Sequence, residues 1–325
     1  MRIGVLGVGR IGRAHVANLA RLDRVDQVLV HDPELDDAGG LGPTVEAVAG
    51  SAELIDRSDG VVVATPTARH TEDLRDVADA GKPCFCEKPV SLDLDGTIEA
   101  LDHAAAAGID VQVGFQRRFD PGFVEIKRLI DTGALGRLYL IRAASHDHEP
   151  PHESYLPLAG SIFRDMLIHD FDALAWLSGE SPAQVHATGT VLVDEMFARH
   201  GDVDTCTATV TLASGALAVL TGTRQNGVGY DHRTEVVGSL DAASAGLGTR
   251  MPMRSADPGG PQPTDPYPTF PERFAHAYAA EMDAFTALVA GEGPNRCPGD
   301  AALDALRLAL AADRSLAEGR PVPVD

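Results

Sequence analysis

Three carboxylates and one histidine lie among apolar residues in the run DMLIHDFD, residues 165–172. On a helix, Asp165 and His169 are four residues apart and share one face, so their side chains can meet. A carboxylate that contacts one imidazole nitrogen fixes the tautomer and raises the basicity of the ring, which leaves the other nitrogen as a general base. Asp172, three residues from His169, is also close, but no role is assigned to it. The alternative is a buried histidine that is satisfied by its acidic neighbour and has no catalytic role.

Lys88 is the second candidate for chemistry, and it is one of only three lysines in the chain. It lies in the sequence Glu87-Lys88-Pro89, at the end of a predicted strand. Ligands of open α/β sheets bind at the carboxyl ends of the strands. An ammonium group there can stabilise negative charge that develops on a substrate oxygen. The alternative is a solvated lysine at a strand end.

Residues 7–12 read GVGRIG, a GxGxxG motif between a predicted strand and a predicted helix. Gly7 permits a tight turn, Gly9 lets the backbone approach a pyrophosphate, and Gly12 lets the helix pack closely on the sheet. The phosphates would lie at the helix N-terminus, where unpaired N–H groups favour anions. The alternative is a glycine-rich turn in a fold that binds no dinucleotide.

Asp32 ends the second predicted strand, about 20 residues after the glycines, where a ribose-binding acid is expected. Its carboxylate can accept hydrogen bonds from both hydroxyls of the adenosine ribose and would repel a 2′-phosphate. The motif therefore predicts NAD in preference to NADP. Since Pro33 follows, Asp32 could instead serve only as a turn residue.

The elements around these residues change character along the chain. Strand-like runs separated by helical runs predict βαβ units and a doubly wound parallel sheet in the first part. Later runs alternate apolar and polar residues, as in TCTATVTL, which predicts an antiparallel sheet with one wet face. The expected division is a dinucleotide-binding Rossmann domain over residues 1–118 and an α+β domain for substrate binding and oligomerisation over residues 119–325. The final helices of the second domain could pack back on the first.

The composition narrows the function further. A formal net charge of −21 disfavours nucleic acid and anionic membranes as partners and agrees with a neutral substrate. The four cysteines and the histidines show no zinc-site spacing, so no metal is expected. With no signal peptide and no apolar run of membrane-spanning length, a cytoplasmic protein is predicted.

The chain resembles the glucose–fructose oxidoreductase / inositol dehydrogenase / MocA family. The resemblance rests on five segments, which occur in the order usual for the family: GVGRIG (7–12), ATPTARH (64–70), CEKPV (86–90), VGFQRRFDPGF (113–123) and GSIFRDMLIHDFDALAW (160–176). Within the family, GFQRRFDPG and FRDMLIHDFD are most similar to the myo-inositol 2-dehydrogenases. One departure is the short, glycine-rich segment between Asp32 and Ser51, which puts the adenine side of the pocket in question.

The resemblance implies a catalytic set of Lys88, Asp165 and His169. His169 would take the proton from a secondary alcohol, Asp165 would orient His169, and Lys88 would steady the alkoxide. It also implies a cis bond between Lys88 and Pro89. The residues implied to bind NAD are Gly7, Gly9, Arg10, Ile11, Gly12, Asp32, Thr65, Pro66, His70, Glu87, Lys88 and Gln116. Those implied to bind substrate are Lys88, Arg118, Asp147 or a flanking histidine, Asp165, His169 and Tyr230.

The implied activity is NAD-dependent oxidation of myo-inositol to 2-keto-myo-inositol by a homo-oligomer, either a dimer or a tetramer. A second hypothesis keeps the chemistry and changes the substrate to another inositol isomer or an aldose. A third, from another class, is a non-enzymatic dinucleotide sensor, because fold alone does not determine function. Binding of NAD without turnover of any polyol would favour the sensor.

Overall fold

The computed structural model describes residues 1–35, 37–38 and 40–324. It separates into two compact units. One joins Met1–Phe119 with His276–Leu303, and the other joins Asp120–Ala275 with the residues from Asp304 onward. Among the described residues, no helix is both long and apolar enough to cross a bilayer.

The strands, in chain order, are β1 (Arg2–Leu6), β2 (Gln27–His31), β3 (Val45–Ala47), β4 (Gly60–Val63), β5 (Cys84–Cys86), β6 (Val111–Val113), β7 (Leu138–His146), β8 (Pro182–Thr190), β9 (Thr205–Leu212), β10 (Leu217–Thr223), β11 (Asp231–Gly238), β12 (Ala242–Ala245) and β13 (Val322–Pro323). The α-helices are α1 (Arg10–Leu19), α2 (Ser51–Arg57), α3 (Thr67–Asp79), α4 (Leu94–Ala107), α5 (Pro121–Asp131), α6 (Leu156–Ala159), α7 (Ile162–Asp165), α8 (Ile168–Ser178), α9 (Met196–Arg199), α10 (Phe270–Arg273), α11 (Ala275–Val289) and α12 (Asp300–Glu318). Two short 3₁₀ turns cover Gln116–Phe119 and Glu153–Tyr155.

The first unit contains a six-stranded sheet with the order β3-β2-β1-β4-β5-β6. Every neighbouring pair is parallel. Helices cover both faces of such a sheet, so its strands are apolar throughout, as in the fully buried run Val61–Val63. The strand order reverses at β1, where β2 lies on one side and β4 on the other, and doubly wound folds bind ligands at this point. The predicted doubly wound sheet is confirmed.

The segment after Asp32 contains a strand that the sequence did not predict. β3 is three residues long and pairs in parallel with β2, Val28 opposite Val45. A strand of this length is too short to show either an apolar run or an alternation. The first sheet thus has six strands, where the sequence indicated five.

The second unit contains a seven-stranded sheet with the order β12-β11-β7-β10-β9-β8-β13. All its pairs are antiparallel except that of β7 with β10. In β9, Cys206, Ala208 and Val210 are buried, whereas Thr207 and Thr209 are exposed. The predicted open, mainly antiparallel sheet with one wet face is confirmed. On its buried side, α8 packs against β7 and α5.

Candidate active site

The three glycines of the first loop have different reasons to be glycine. Gly7 has a φ of +87°, and a Cβ there would lie 2.6 Å from the Ala64 carbonyl oxygen. A Cβ on Gly12 would lie 2.0 Å from the Gly7 carbonyl oxygen. The folded chain therefore requires both of these glycines.

Gly9 is different, because a Cβ there would meet no heavy atom of the described residues within 4 Å, its two chain neighbours aside. It is the N-cap residue of α1, no side chain caps that helix end, and Arg10 and Ile11 form its first turn. The chain itself does not require a glycine at this position, whereas a pyrophosphate on the N–H groups of α1 would. This geometry fits a dinucleotide.

The Asp32 carboxylate lies directly after β2 and is held in place by two backbone groups. The N–H of Val8 donates to Oδ2 at 2.7 Å, and the N–H of Glu34 donates to Oδ1 at 2.9 Å. Each oxygen has a further lone pair with which to accept from a ribose hydroxyl. The turn role that the sequence left open is therefore present, and it is compatible with ribose binding.

Thr65, Pro66 and His70 belong to the loop after β4 and the start of α3. The Thr65 hydroxyl donates to Asp73 at 2.6 Å, and Pro66 is the N-cap residue of α3. His70 is buried, with Nε2 at 2.7 Å from the Thr65 carbonyl and Nδ1 at 2.8 Å from the Pro89 carbonyl. The protein itself thus engages both ring nitrogens of His70. His70 therefore links the loop after β4 to the segment after β5, and its place beside the nicotinamide half of NAD stays a prediction.

The Glu87-Lys88-Pro89 segment follows β5 with a fixed geometry. The peptide bond between Lys88 and Pro89 is cis, which confirms the expectation. Glu87 Oε1 lies 2.7 Å from Nε2 of His15, and Glu87 Oε2 accepts from the Lys88 N–H at 3.2 Å. Lys88 is partly exposed. The strand end that carries Lys88 is therefore anchored through Glu87.

Gln116 and Arg118 lie in the 3₁₀ turn after β6. Gln116 is buried, and its Oε1 has no hydrogen-bond partner among the described residues. A buried acceptor of this kind needs a donor, and the carboxamide of nicotinamide carries one. Arg118 is partly exposed, and its carbonyl accepts from Arg296 at 3.2 Å.

In the second unit, the run that contains Asp165 and His169 is not one regular helix. Asp165 is the last residue of α7, and His169 is the second residue of α8. Between them, the N–H groups of Met166 and Leu167 both donate to the Ile162 carbonyl, at 3.0 Å each. The expected regular i, i+4 step is thus wrong, because the chain makes one wide turn between two helices. Wide turns of this kind occur often at functional sites.

Two donors that the sequence analysis missed hold the Asp165 carboxylate. The Tyr155 hydroxyl donates to Oδ1 at 2.8 Å, and Nη1 of Arg224 lies 2.9 Å from Oδ2. Arg224 Nη1 also lies 3.5 Å from Asp147, so the arginine links two predicted site residues. In the sequence, the only indication of a role for Arg224 was its position directly after a strand of alternating apolar and polar residues.

The two carboxylates determine the electrostatic environment of Arg224. The Arg224 side chain is 4% exposed. Burial by itself lowers the pKa of Arg224, but the attraction of Asp165 and Asp147 outweighs burial, and the pKa of Arg224 is raised. A permanent cation beside Asp165 favours the ionised carboxylate, the form that can stabilise a protonated imidazole.

Two further side chains of the second unit are Tyr230, which was predicted to bind substrate, and Asp170. Tyr230 is buried, and its ring packs edge-on against Phe270 and Phe274 at centroid distances of 6.4 and 6.3 Å. Asp170, to which no role was assigned, is buried and accepts from the Ser145 hydroxyl at 2.7 Å.

Comparison with known proteins decides the family. Residues 1–115 match the model of the oxidoreductase family with an NAD-binding Rossmann fold, and residues 123–243 match the GFO/IDH/MocA C-terminal domain. The chain belongs to the GFO/IDH/MocA family. As a member, it is an NAD-dependent dehydrogenase, and NAD is its cofactor.

Full-length relatives carry more specific names. The chain is 35% identical to the inositol 2-dehydrogenase of Rhizobium meliloti, over 100% of this chain and 99% of the relative. It is 35% identical, with the same coverage, to the myo-inositol 2-dehydrogenase of Thermotoga maritima. The crystal structure of scyllo-inositol dehydrogenase from Lactobacillus casei with bound NAD(H) and scyllo-inositol superposes with a TM-score of 0.89 at 27% identity, covering 100% of this chain and 99% of that one.

Proposed function

We propose that this dehydrogenase oxidises a secondary alcohol of a cyclic polyol, and that the substrate is myo-inositol, converted to 2-keto-myo-inositol. The observation that carries the proposal is the match over the full length to proteins named inositol 2-dehydrogenase. The neutral substrate agrees with the net charge of −21.

The proposed chemistry uses residues of both units. When bound, NAD would supply the acceptor for the hydride of the alcohol carbon. His169 takes the hydroxyl proton as the general base. Asp165, kept ionised by Arg224, stabilises the imidazolium that results, and the Lys88 ammonium stabilises negative charge on the substrate oxygen.

Binding roles follow the same division. The pyrophosphate is proposed to bind at Gly7, Gly9, Gly12 and the first turn of α1. Asp32 is proposed to bind the adenosine ribose, and Gln116 is proposed to bind the carboxamide of the nicotinamide. Arg118, Asp147 and Tyr230 are proposed to contact the polyol hydroxyls. Because Asp147 lies 3.5 Å from Arg224, it is oriented before substrate binds.

A second substrate, scyllo-inositol, is favoured by the likeness to a structure that contains it. The two isomers differ in the orientation of one hydroxyl, so the choice depends on pocket geometry rather than on residue types.

Self-association is a further part of the proposal. One face of the second sheet carries exposed residues in every second position of β9 and β8, including Thr207, Thr209, His186 and Thr188. We propose that this face mediates a homo-oligomer.

The test is formation of NADH from NAD, or of NADPH from NADP, by the purified protein with myo-inositol, scyllo-inositol, chiro-inositol or glucose as the substrate. The expected result is turnover of myo-inositol with NAD that falls about 100-fold or more in His169→Ala. Turnover of scyllo-inositol alone would change the substrate and keep the mechanism. Binding of NAD with no turnover of any polyol would reject the proposal in favour of a sensor.

A further inference from the structure

A buried cluster in the first unit includes two residues, His15 and Glu281, to which the chemistry proposed above gives no role. It consists of His15 on α1, Glu87 after β5, and Glu281 on α11, and one side-chain nitrogen or oxygen of each lies within 4.8 Å of the other two. His15 and Glu281 are 0% exposed. The sequence did not predict this cluster, since its members are separated by 72 and 194 residues.

The cluster contains more acceptors than donors. His15 Nε2 contacts Glu87, whereas both carboxyl oxygens of Glu281 are buried without a hydrogen-bond partner among the described residues. The Gln112 amide donates to the backbone carbonyl of Glu281 at 3.0 Å, and its own oxygen is also buried without a partner. A buried carboxylate with neither donor nor cation is strongly unfavourable. One additional proton would relieve this deficit.

Aromatic rings pack against the histidine of the cluster. The rings of Phe85 and Tyr278 pack edge-on against His15, at centroid distances of 5.1 and 6.1 Å. Tyr278 is a further titratable side chain beside the cluster, and so is Cys86, whose Sγ lies 3.4 Å from the Glu87 carbonyl oxygen. Within the described residues, no lysine or arginine forms an ion pair with Glu281.

We propose that Glu281 carries a proton at neutral pH and shares it with the Glu87 carboxylate, directly or through one water. Two carboxyl groups this close favour a single shared proton, because like charges oppose each other. Burial raises the pKa of Glu281, and the charge of Glu87 raises it further.

Glu281 is then a positioning residue. The shared proton fixes the position of the Glu87 carboxylate. Because Oε2 of Glu87 accepts from the Lys88 N–H, the cluster also fixes the backbone at Lys88. This second step rests on the role proposed for Lys88, whereas the protonation does not.

The protonation is tested by urea unfolding of the wild type and Glu281→Gln across a pH series, without substrate. The carboxyl ionises near pH 4.5 in the unfolded chain and at a higher pH in the folded chain, so the folded state binds more protons between these values. We expect the unfolding equilibrium constant of the wild type to rise relative to that of Glu281→Gln as pH increases from 4.5, by up to about tenfold per pH unit.

The matched control is Glu292→Gln, since the Glu292 side chain is 66% exposed and pairs with Arg24. That variant should show no such relative trend. If Glu281→Gln instead loses stability relative to the wild type as pH rises, Glu281 is ionised and the proposal is overturned. A divalent metal that copurifies with the wild type and is lost in Glu281→Gln would overturn it as well.

The positioning role is tested by steady-state kinetics of two variants. Glu281→Gln keeps a donor of the same shape and should keep kcat within about twofold, whereas Glu281→Ala should lower kcat about tenfold at an unchanged KM for the polyol. Equal loss in both variants would contradict positioning through a hydrogen bond. If the wild type turns over no polyol, the proposed function fails, and the pH series still decides the protonation.

Discussion

At the residue scale, Arg224 connects the two acidic residues that the proposal assigns to catalysis and substrate binding. Its guanidinium is almost fully buried and faces Asp165 at 2.9 Å and Asp147 at 3.5 Å. Removal of one partner from a buried ion pair leaves an uncompensated charge, which is more harmful than loss of an exposed pair. The arginine therefore matters for stability and for the charge beside His169.

We expect Arg224→Met to lower the free energy of unfolding by about 3 kcal/mol and to lower kcat. The control is Arg142→Met, because Arg142 is 54% exposed and pairs with Glu235 on the same sheet. That variant should lose about 1 kcal/mol or less. Urea denaturation measures both, and equal losses would contradict the account of Arg224.

We expect Asp32 to determine the choice between NAD and NADP, which is also a prediction at the residue scale. Replacing its carboxylate with a hydroxyl in Asp32→Ser removes the repulsion of a 2′-phosphate. The ratio of kcat/KM with NADP to that with NAD should rise about tenfold or more, which corresponds to about 1.4 kcal/mol. Asp79→Ser, at the exposed end of α3, should leave the ratio unchanged. An unchanged ratio in Asp32→Ser would remove Asp32 from cofactor selection.

At the element scale, the turn from β1 into α1 contains one glycine that the fold requires, Gly12, and one that only the cofactor would require, Gly9. Gly12→Ala places a Cβ 2.0 Å from the Gly7 carbonyl oxygen, so we expect a loss of about 1–3 kcal/mol in the free energy of unfolding. Gly9→Ala has no such clash and should leave the unfolding of the apoprotein unchanged while raising the KM for NAD.

The measurement for this pair is thermal unfolding without cofactor, together with NAD titration. Destabilisation of the apoprotein by Gly9→Ala, or NAD binding unaffected by it, would contradict the assignment of the open position to the pyrophosphate.

Strands with a long apolar run or a clear alternation of apolar and polar residues could be predicted from the sequence. Elements that depend on contacts between distant residues could not. The runs at β1 and β4 are apolar because parallel strands are buried on both faces, and the alternation in β9 follows from its single wet face. β3 is too short to show a pattern. The wide turn between Asp165 and His169 was missed because residue types do not reveal which carbonyl an N–H selects.

The same reasoning applies to the site. The glycines, Asp32, Lys88 and His169 could be proposed as site residues because motif spacing or family resemblance marks them. Arg224 is 59 residues from Asp165, and Glu281 is 194 residues from Glu87, so only the folded chain brings these pairs together.

At the scale of the whole molecule, the open face of the second sheet predicts the assembly state. Thr209 lies on this face, between His186 of β8 and Val219 of β10. Light scattering should give a mass that is a multiple of 34.2 kDa, and Thr209→Arg should lower it. Thr132→Arg, at the exposed end of α5, should not change it. A monomeric wild type would reject the proposed interface.

The central claim is that hydride leaves the alcohol carbon of myo-inositol and reaches NAD in one enzymatic step. The most direct measurement is mass spectrometry of the NADH formed from myo-inositol deuterated at C2. The account predicts NADH that carries the deuterium, formed more slowly than NADH from the unlabelled substrate at limiting concentration. In His169→Ala, formation of the labelled NADH should fall about 100-fold or more. NADH without deuterium would contradict the account.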